Sequence, residues 1–83
     1  MVKELVIILI KFNIMKLWIA RDPDNTLSIS NHKLIYVGLL QGWQPPKEYY
    51  NDDTSFHVYI DDKLFPEVTF ENSPQEVELK LVK

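Results

Sequence analysis

The chain of 83 residues contains no cysteine, which removes disulfide frameworks, thiolate zinc sites, iron–sulfur clusters and cysteine nucleophiles together. Its two glycines, Gly38 and Gly42, are too few for a phosphate-cradling loop, and none of Ser28, Ser30, Ser55 or Ser73 sits in a Gly-x-Ser-x-Gly elbow. Its two histidines are His32 and His57. His57 and Asp61 share one face of an alternating segment but stand four positions apart, about 13 Å at strand rise, too far to ligate one metal ion. Asp22-Pro23-Asp24-Asn25 opens like a calcium loop, yet Leu27 and Lys33 stand where such a loop needs glycine and a bidentate glutamate. The acid pairs Asp52-Asp53 and Asp61-Asp62 lie in turn-like sequence, where no walled pocket raises one carboxyl pKa for acid–base work. The expectation is a protein without metal, cofactor or enzymatic activity.

Long apolar runs are also missing. The longest uninterrupted stretch, Leu5-Val6-Ile7-Ile8-Leu9-Ile10, has six residues, against about 20 for a membrane span and about 7 to 15 for a signal-peptide core. No membrane association follows from it. Bounded by Glu4 and Lys11, it reads as a buried strand, although periodicity alone does not exclude a short helix. A further reading takes Met15 as the native start, because Met15-Lys16-Leu17-Trp18-Ile19-Ala20-Arg21 looks like the opening of a small bacterial protein. Residues 1–14 are then an apolar extension or an extra strand ahead of a single β domain at 15–83. A chain of this length supports one compact core and no second domain.

Positive charge is in short supply as well. The net charge is -3, which argues against nucleic-acid binding through lysines and arginines aimed at phosphates. Residues 1–47 carry six basic and three acidic side chains, whereas 48–83 carry three basic and nine acidic ones. The second half is an acidic strip, read first as solvated faces and turns, and second as a surface for a basic partner.

What the sequence does contain is alternation with period two. Residues 16–21 and 26–30 alternate on either side of Asp22-Pro23-Asp24-Asn25, a set of turn residues, and predict a β-hairpin with Leu17, Ile19, Leu27 and Ile29 inward. Residues 34–40 have strand composition interrupted by Gly38. Residues 41–54 hold Gly42, Pro45, Pro46 and Asn51-Asp52-Asp53 and predict the longest loop, with no regular element. Residues 55–61 place Phe56, Val58 and Ile60 on one face and His57 and Tyr59 on the other. Pro66 biases Phe65 toward extended geometry, and Val68-Thr69-Phe70 predicts a short edge strand. Residues 76–82 alternate with Val77, Leu79 and Leu81 inward. No stretch keeps a capped helical period. The predicted fold is all-β, a small antiparallel meander of five or six strands forming a barrel or a sandwich.

Two segments carry a resemblance. Lys16-Leu17-Trp18-Ile19-Ala20-Arg21-Asp22, together with Leu64-Phe65-Pro66-Glu67-Val68-Thr69-Phe70-Glu71, Pro74 and Glu76-Val77-Glu78-Leu79, resembles short uncharacterised proteins of gut Bacteroidales genomes and their phages or mobile elements. The similarity covers about a third of the chain, leaves 31–62 unmatched, and implies no catalytic or binding residue.

The candidate site is therefore compositional. In Trp43-Gln44-Pro45-Pro46-Lys47-Glu48-Tyr49-Tyr50, rigid aromatic side chains flank a stiff double proline, a low-entropy set for protein contact. The alternative is a cap, with Trp43 and one tyrosine folded back onto the core. Trp43, Pro45, Pro46, Tyr49 and Tyr50 are the tentative partner-binding residues, with Trp43 expected to be structural and both tyrosines available for contact. The expected function is a cytoplasmic protein–protein interaction module with an unidentified protein partner. Two other classes stay open: a homo-oligomer subunit pairing through residues 5–10, and a single-stranded nucleic-acid binder stacking bases on Trp43, Tyr49, Tyr50 and Tyr59.

Overall fold

A computed structural model describes residues 14–80. Six strands form in chain order: β1 Ile14–Arg21, β2 Leu27–Ser30, β3 Ile35–Val37, β4 Gly42–Gln44, β5 His57–Ile60 and β6 Gln75–Lys80, with one 3-10 turn at Lys47–Tyr49. The fold is all-β and wholly antiparallel. The apolar run at 5–10 and Leu81 lie outside the described residues, as does the pairing expected through that run.

The β1–β2 hairpin forms as the sequence predicts, with Ile19 opposite Ile29 and Arg21 opposite Leu27. Its connection joins two features that turn chemistry favours. Asn25 N–H donates to the Asp22 carbonyl at 2.9 Å and Asp22 N–H to the Thr26 carbonyl at 2.9 Å, closing a short loop that begins with Pro23. Asn25 takes φ 79°, a left-handed position that asparagine tolerates better than most residues. Asp24 Oδ1 accepts from Thr26 N–H at 3.0 Å and Thr26 Oγ1 at 2.7 Å, fixing the corner.

The main sheet has the order β5-β2-β1-β6, and β3 and β4 form a separate two-stranded sheet. This departs from a meander, and the described strands close no barrel. The cause lies in the connection between β5 and β6. These strands occupy opposite edges, so residues 61–74 must cross three strand spacings, about 14 Å. Directly opposed residues share a face, which puts Leu17, Ile19, Leu27, Ile29, Val58, Ile60 and Val77 together. The crossing segment drops Val68 onto that face, where it forms the core with Ile19 and Leu27, flanked by Ile29, Ile60 and Val77. Each fully buried aliphatic there contributes about 1.5 to 3 kcal/mol. On the opposite face Ala20, Ser28 and Ser30 are fully buried, beside the larger Trp18, His57 and Tyr59.

Several expectations are corrected. Residues 41–54 are not free of regular structure, since β4 and the 3-10 turn both lie within them. The strand read over 34–40 is shortened to Ile35–Val37, because the chain turns at Gly38. Val68-Thr69-Phe70 forms no strand. Val68 N–H turns back to the Phe65 carbonyl at 2.9 Å, and side chains take other main-chain groups: the Val68 carbonyl accepts from Arg21 Nε at 2.6 Å and Thr69 N–H donates to Asn72 Oδ1 at 2.8 Å. Phe65 is not extended but sits at φ 49°. Leu79 shares the face of Val77 yet is 58% exposed, because the crossing segment covers the other end of that face.

Candidate functional site

The crossing segment has no strand ladder to satisfy its carbonyls, and one side chain supplies the missing donors. Arg21 ends β1 on the core face and is 7% exposed. Its Nε donates to the Val68 carbonyl at 2.6 Å; Nη1 donates to Asn25 and Asp62 carbonyls at 2.9 and 3.0 Å; Nη2 donates to Leu64 and Phe65 carbonyls at 3.1 and 3.2 Å. Five guanidinium hydrogens meet five main-chain oxygens, so the buried cation is fully hydrogen-bonded. The adjoining cleft, about 380 Å³ between Arg21, Pro23, Lys63 and Phe70, consequently offers no free guanidinium donor to an anion.

Asp22, the next residue, extends this frame to the second sheet. It is 7% exposed. Its Oδ1 accepts from Trp43 N–H at 3.0 Å and its Oδ2 from Thr26 Oγ1 at 3.3 Å, while the Arg21 carbonyl accepts from Trp43 Nε1 at 3.0 Å. Gly42 is what lets the carboxylate approach: a Cβ there would lie 3.1 Å from Asp22 Oδ2. Trp43 is half-buried and meets Tyr36 edge-on with ring centroids 5.5 Å apart, and Tyr36 meets Phe70 at 5.0 Å. This aromatic set joins the β3–β4 hairpin to the crossing segment.

Beyond Trp43, Pro45 is buried and Pro46 half-buried. Pro46 has φ -57° and ψ 147° and leads into the 3-10 turn. Tyr49 lies half-buried with its ring stacked on His32 at 3.7 Å and 8°. His32 Nε2 stands 3.5 Å from Asp52 Oδ2. Hydrogen bonds from Thr54, aided by His32, hold the Asp52 carboxyl below its ordinary pKa. Tyr50 projects outward at 57% exposure. The structure thus gathers Trp43, Pro45 and Tyr49 into the framework and separates Tyr50 from them. Among the described residues no three His, Asp or Glu side chains group to hold a metal ion.

No family model, curated protein or solved structure matches the chain. The chemistry at the surface must therefore speak for the site. Among the described residues the most exposed large apolar group is one the sequence reading passed over: Leu39, at 99%, with Leu40 beside it at 64%. Both occupy the tip of the β3–β4 hairpin, where Leu40 N–H donates to the Val37 carbonyl and Gln41 N–H to the Gly38 carbonyl, each at 3.1 Å. Gln41 completes the reversal at φ 50°. The signal that marks this tip is Gly38 and Gly42 bracketing two leucines, a turn pattern that the strand-like composition of 34–40 conceals. Residues 26–47 contain no Asp or Glu and two lysines, Lys33 and Lys47, while the Asp22 carboxylate accepts from Trp43 N–H at the foot of the hairpin.

Proposed function

We propose that the protein is a small non-enzymatic interaction module of the cytoplasm that binds another protein through the β3–β4 hairpin and the adjoining Tyr50. The observation that carries this reading is the near-complete exposure of Leu39 and Leu40 on an anchored hairpin. Exposed leucines on a frame held by Asp22, Trp43 and buried Pro45 lose little conformational freedom on binding, which favours association. Tyr50 adds an aromatic contact that leaves the 3-10 turn from the same anchored loop.

The test is capture from the native host with a tagged full chain. A specific bound protein should be lost with Leu39→Asp and weakened about tenfold or more with Tyr50→Ala, while circular dichroism of both variants stays unchanged. Retention of the same bound protein by both variants would overturn the assignment to this hairpin.

A further inference from the structure

The two edges of the main sheet differ in what they expose. β5 and β6 are its outermost strands. β6 carries Glu76, Glu78 and Lys80, charges of the kind that keep a free edge from pairing with another strand. β5 consists of His57-Val58-Tyr59-Ile60 and has neither a charged residue nor a proline. The phase of its ladder follows from the β1–β2 hairpin. Asp22 N–H bonds the Thr26 carbonyl, and bonded and non-bonded pairs alternate along an antiparallel ladder. With Ser28 opposite Ala20 and Val58 opposite Ile29, Ser28 turns its main-chain groups to β1, Ile29 turns its own to β5, and Val58 and Ile60 bond β2. The N–H and C=O groups of His57 and Tyr59 therefore point away from the sheet. Phe56 agrees with this phase, since its N–H turns inward to Asn31 Oδ1 at 2.9 Å. Among the described residues no strand pairs with the outer side of β5. Its side chains are open as well, with Val58 at 49% and Tyr59 at 64% exposure.

We propose that two copies of the chain pair antiparallel along this edge, β5 to β5, and join their main sheets into one across a two-fold axis. The hydrogen-bond phase leaves few registers, and the sequence favours one of them. With the axis at Val58, His57 and Tyr59 of the second copy form a bonded pair, and the same pair recurs on the other side of the axis. Side chains then match on both faces. Val58 meets Val58 and Phe56 meets Ile60 of the second copy on the core face, while His57 meets Tyr59 as an aromatic pair on the other face. Asp61 falls opposite Ser55. Moving the axis to His57 sets Asp61 opposite Asp53, and moving it to Tyr59 sets Phe56 opposite Asp62. The strand thus complements itself in one register, as an isologous contact requires, and this selects a second copy as the occupant. Each copy uses its one unguarded edge, so association stops at two. The contact is small, in the class of weak and transient interfaces, which places dimerisation at high protein concentration. It does not use the β3–β4 hairpin.

Analytical ultracentrifugation of the full chain, from micromolar to millimolar concentration, tests this. The weight-average mass should rise reversibly toward twice that of the monomer and not beyond. Val58→Lys, at an exposed position, sets like charges directly opposite each other at the axis and should weaken dimerisation about tenfold or more without changing the circular dichroism. Leu39→Asp should dimerise as the wild type does. Because the chain has no cysteine, a single introduced thiol reports the register. Val58→Cys places two thiols opposite each other in a non-bonded pair, with Cα atoms about 4.5 Å apart, within the span of a disulfide. Mild oxidation should link it into a covalent dimer, and should link Glu76→Cys, on the charged edge, about tenfold less. A wild-type chain that stays monomeric throughout overturns the proposal, as does a Val58→Cys chain that links no faster than Glu76→Cys. Association that survives Val58→Lys also overturns it, and its loss with Ile7→Lys or with Leu39→Asp then assigns the contact to residues 5–10 or to the hairpin tip.

Discussion

Replacing Arg21 by methionine keeps the length of the side chain and deletes every donor it contributes. Five carbonyls, on Asn25, Asp62, Leu64, Phe65 and Val68, lose a partner at once. Hydrogen bonds to a charged donor contribute about 1.5 to 3 kcal/mol each, and the desolvation relieved by removing a buried cation offsets several kcal/mol of their sum. Some of these carbonyls regain water when the crossing segment loosens, and Phe65 keeps the bond from Val68 N–H at 2.9 Å. The net loss should be about 3 to 4 kcal/mol, a large share of the roughly 5 to 15 kcal/mol that holds a small domain folded. On a chain this short that corresponds to a fall in Tm of about 15 to 25 °C. Arg21→Lys should lose somewhat less, about 2 kcal/mol, since an ammonium has three donors and no planar fork. Urea unfolding followed by circular dichroism gives both values. Hydrogen exchange adds location, with protection at Val68 N–H and Leu64 N–H falling before that of the β1–β2 ladder. An Arg21→Met chain within about 1 kcal/mol of wild type would refute the reasoning, because the carbonyls of the crossing segment would then be satisfied without it.

Trp43→Ala should cost about 2 to 3 kcal/mol, through lost ring contact and the lost bond to the Arg21 carbonyl, whereas Tyr50→Ala should stay within about 0.5 kcal/mol; paired denaturant midpoints decide. Leu79→Ala should cost less than about 1 kcal/mol and Ile19→Ala about 2 to 5 kcal/mol, and equal losses would show that the open end of the core face is covered. Stability should also fall on mild acidification. Burial holds the His57 pKa below its ordinary 6.5, with the Asp22 carboxylate opposing part of the shift. The unfolded chain takes the proton first, so this contribution is complete above pH 6.5 and is lost as pH drops through the window beneath it. His57→Gln should flatten that part of a stability–pH curve, and an unchanged slope would exclude His57 as its source. Asp24 and Asp52, both held below the ordinary carboxyl value of 3.8, act in a separate and more acidic window.

Alternation carried most of what the sequence could say about the fold. It placed Ile19, Leu27, Ile29, Ile60 and Val77 on one face because a strand's side-chain period is two whatever its neighbours are. It also placed Arg21 on that face, following Leu17 and Ile19, and a charge in phase with core positions was the available sign of a buried, fully bonded arginine. Coverage of a face is a different matter. Whether Leu79 is buried depends on where residues 61–74 cross, which is set by strand order and by non-local bonds to Arg21. β4 was hidden for a related reason: the three residues Gly42–Gln44 form a strand that pairs with β3 and is held by Asp22, about twenty positions upstream, through Trp43 N–H. In the candidate loop, composition identified Trp43, Tyr49 and Tyr50 as large contact groups. It did not distinguish the stacked Tyr49 from the outward Tyr50, since the ring that occupies Tyr49 belongs to distant His32.

Because Arg21 grips main-chain oxygens alone, it is indifferent to the side chains above them. Every amino acid offers the same carbonyl, proline included, so the outward residues among 61–67 can change without loosening the clamp. The Val68 side chain is excepted, since it also fills the core. The crossing segment is thereby a variable region on a constant mount. Substituted chains should keep the same path over the sheet while presenting new surfaces, and libraries randomised at exposed Lys63, Leu64 and Glu67 should yield mostly folded proteins.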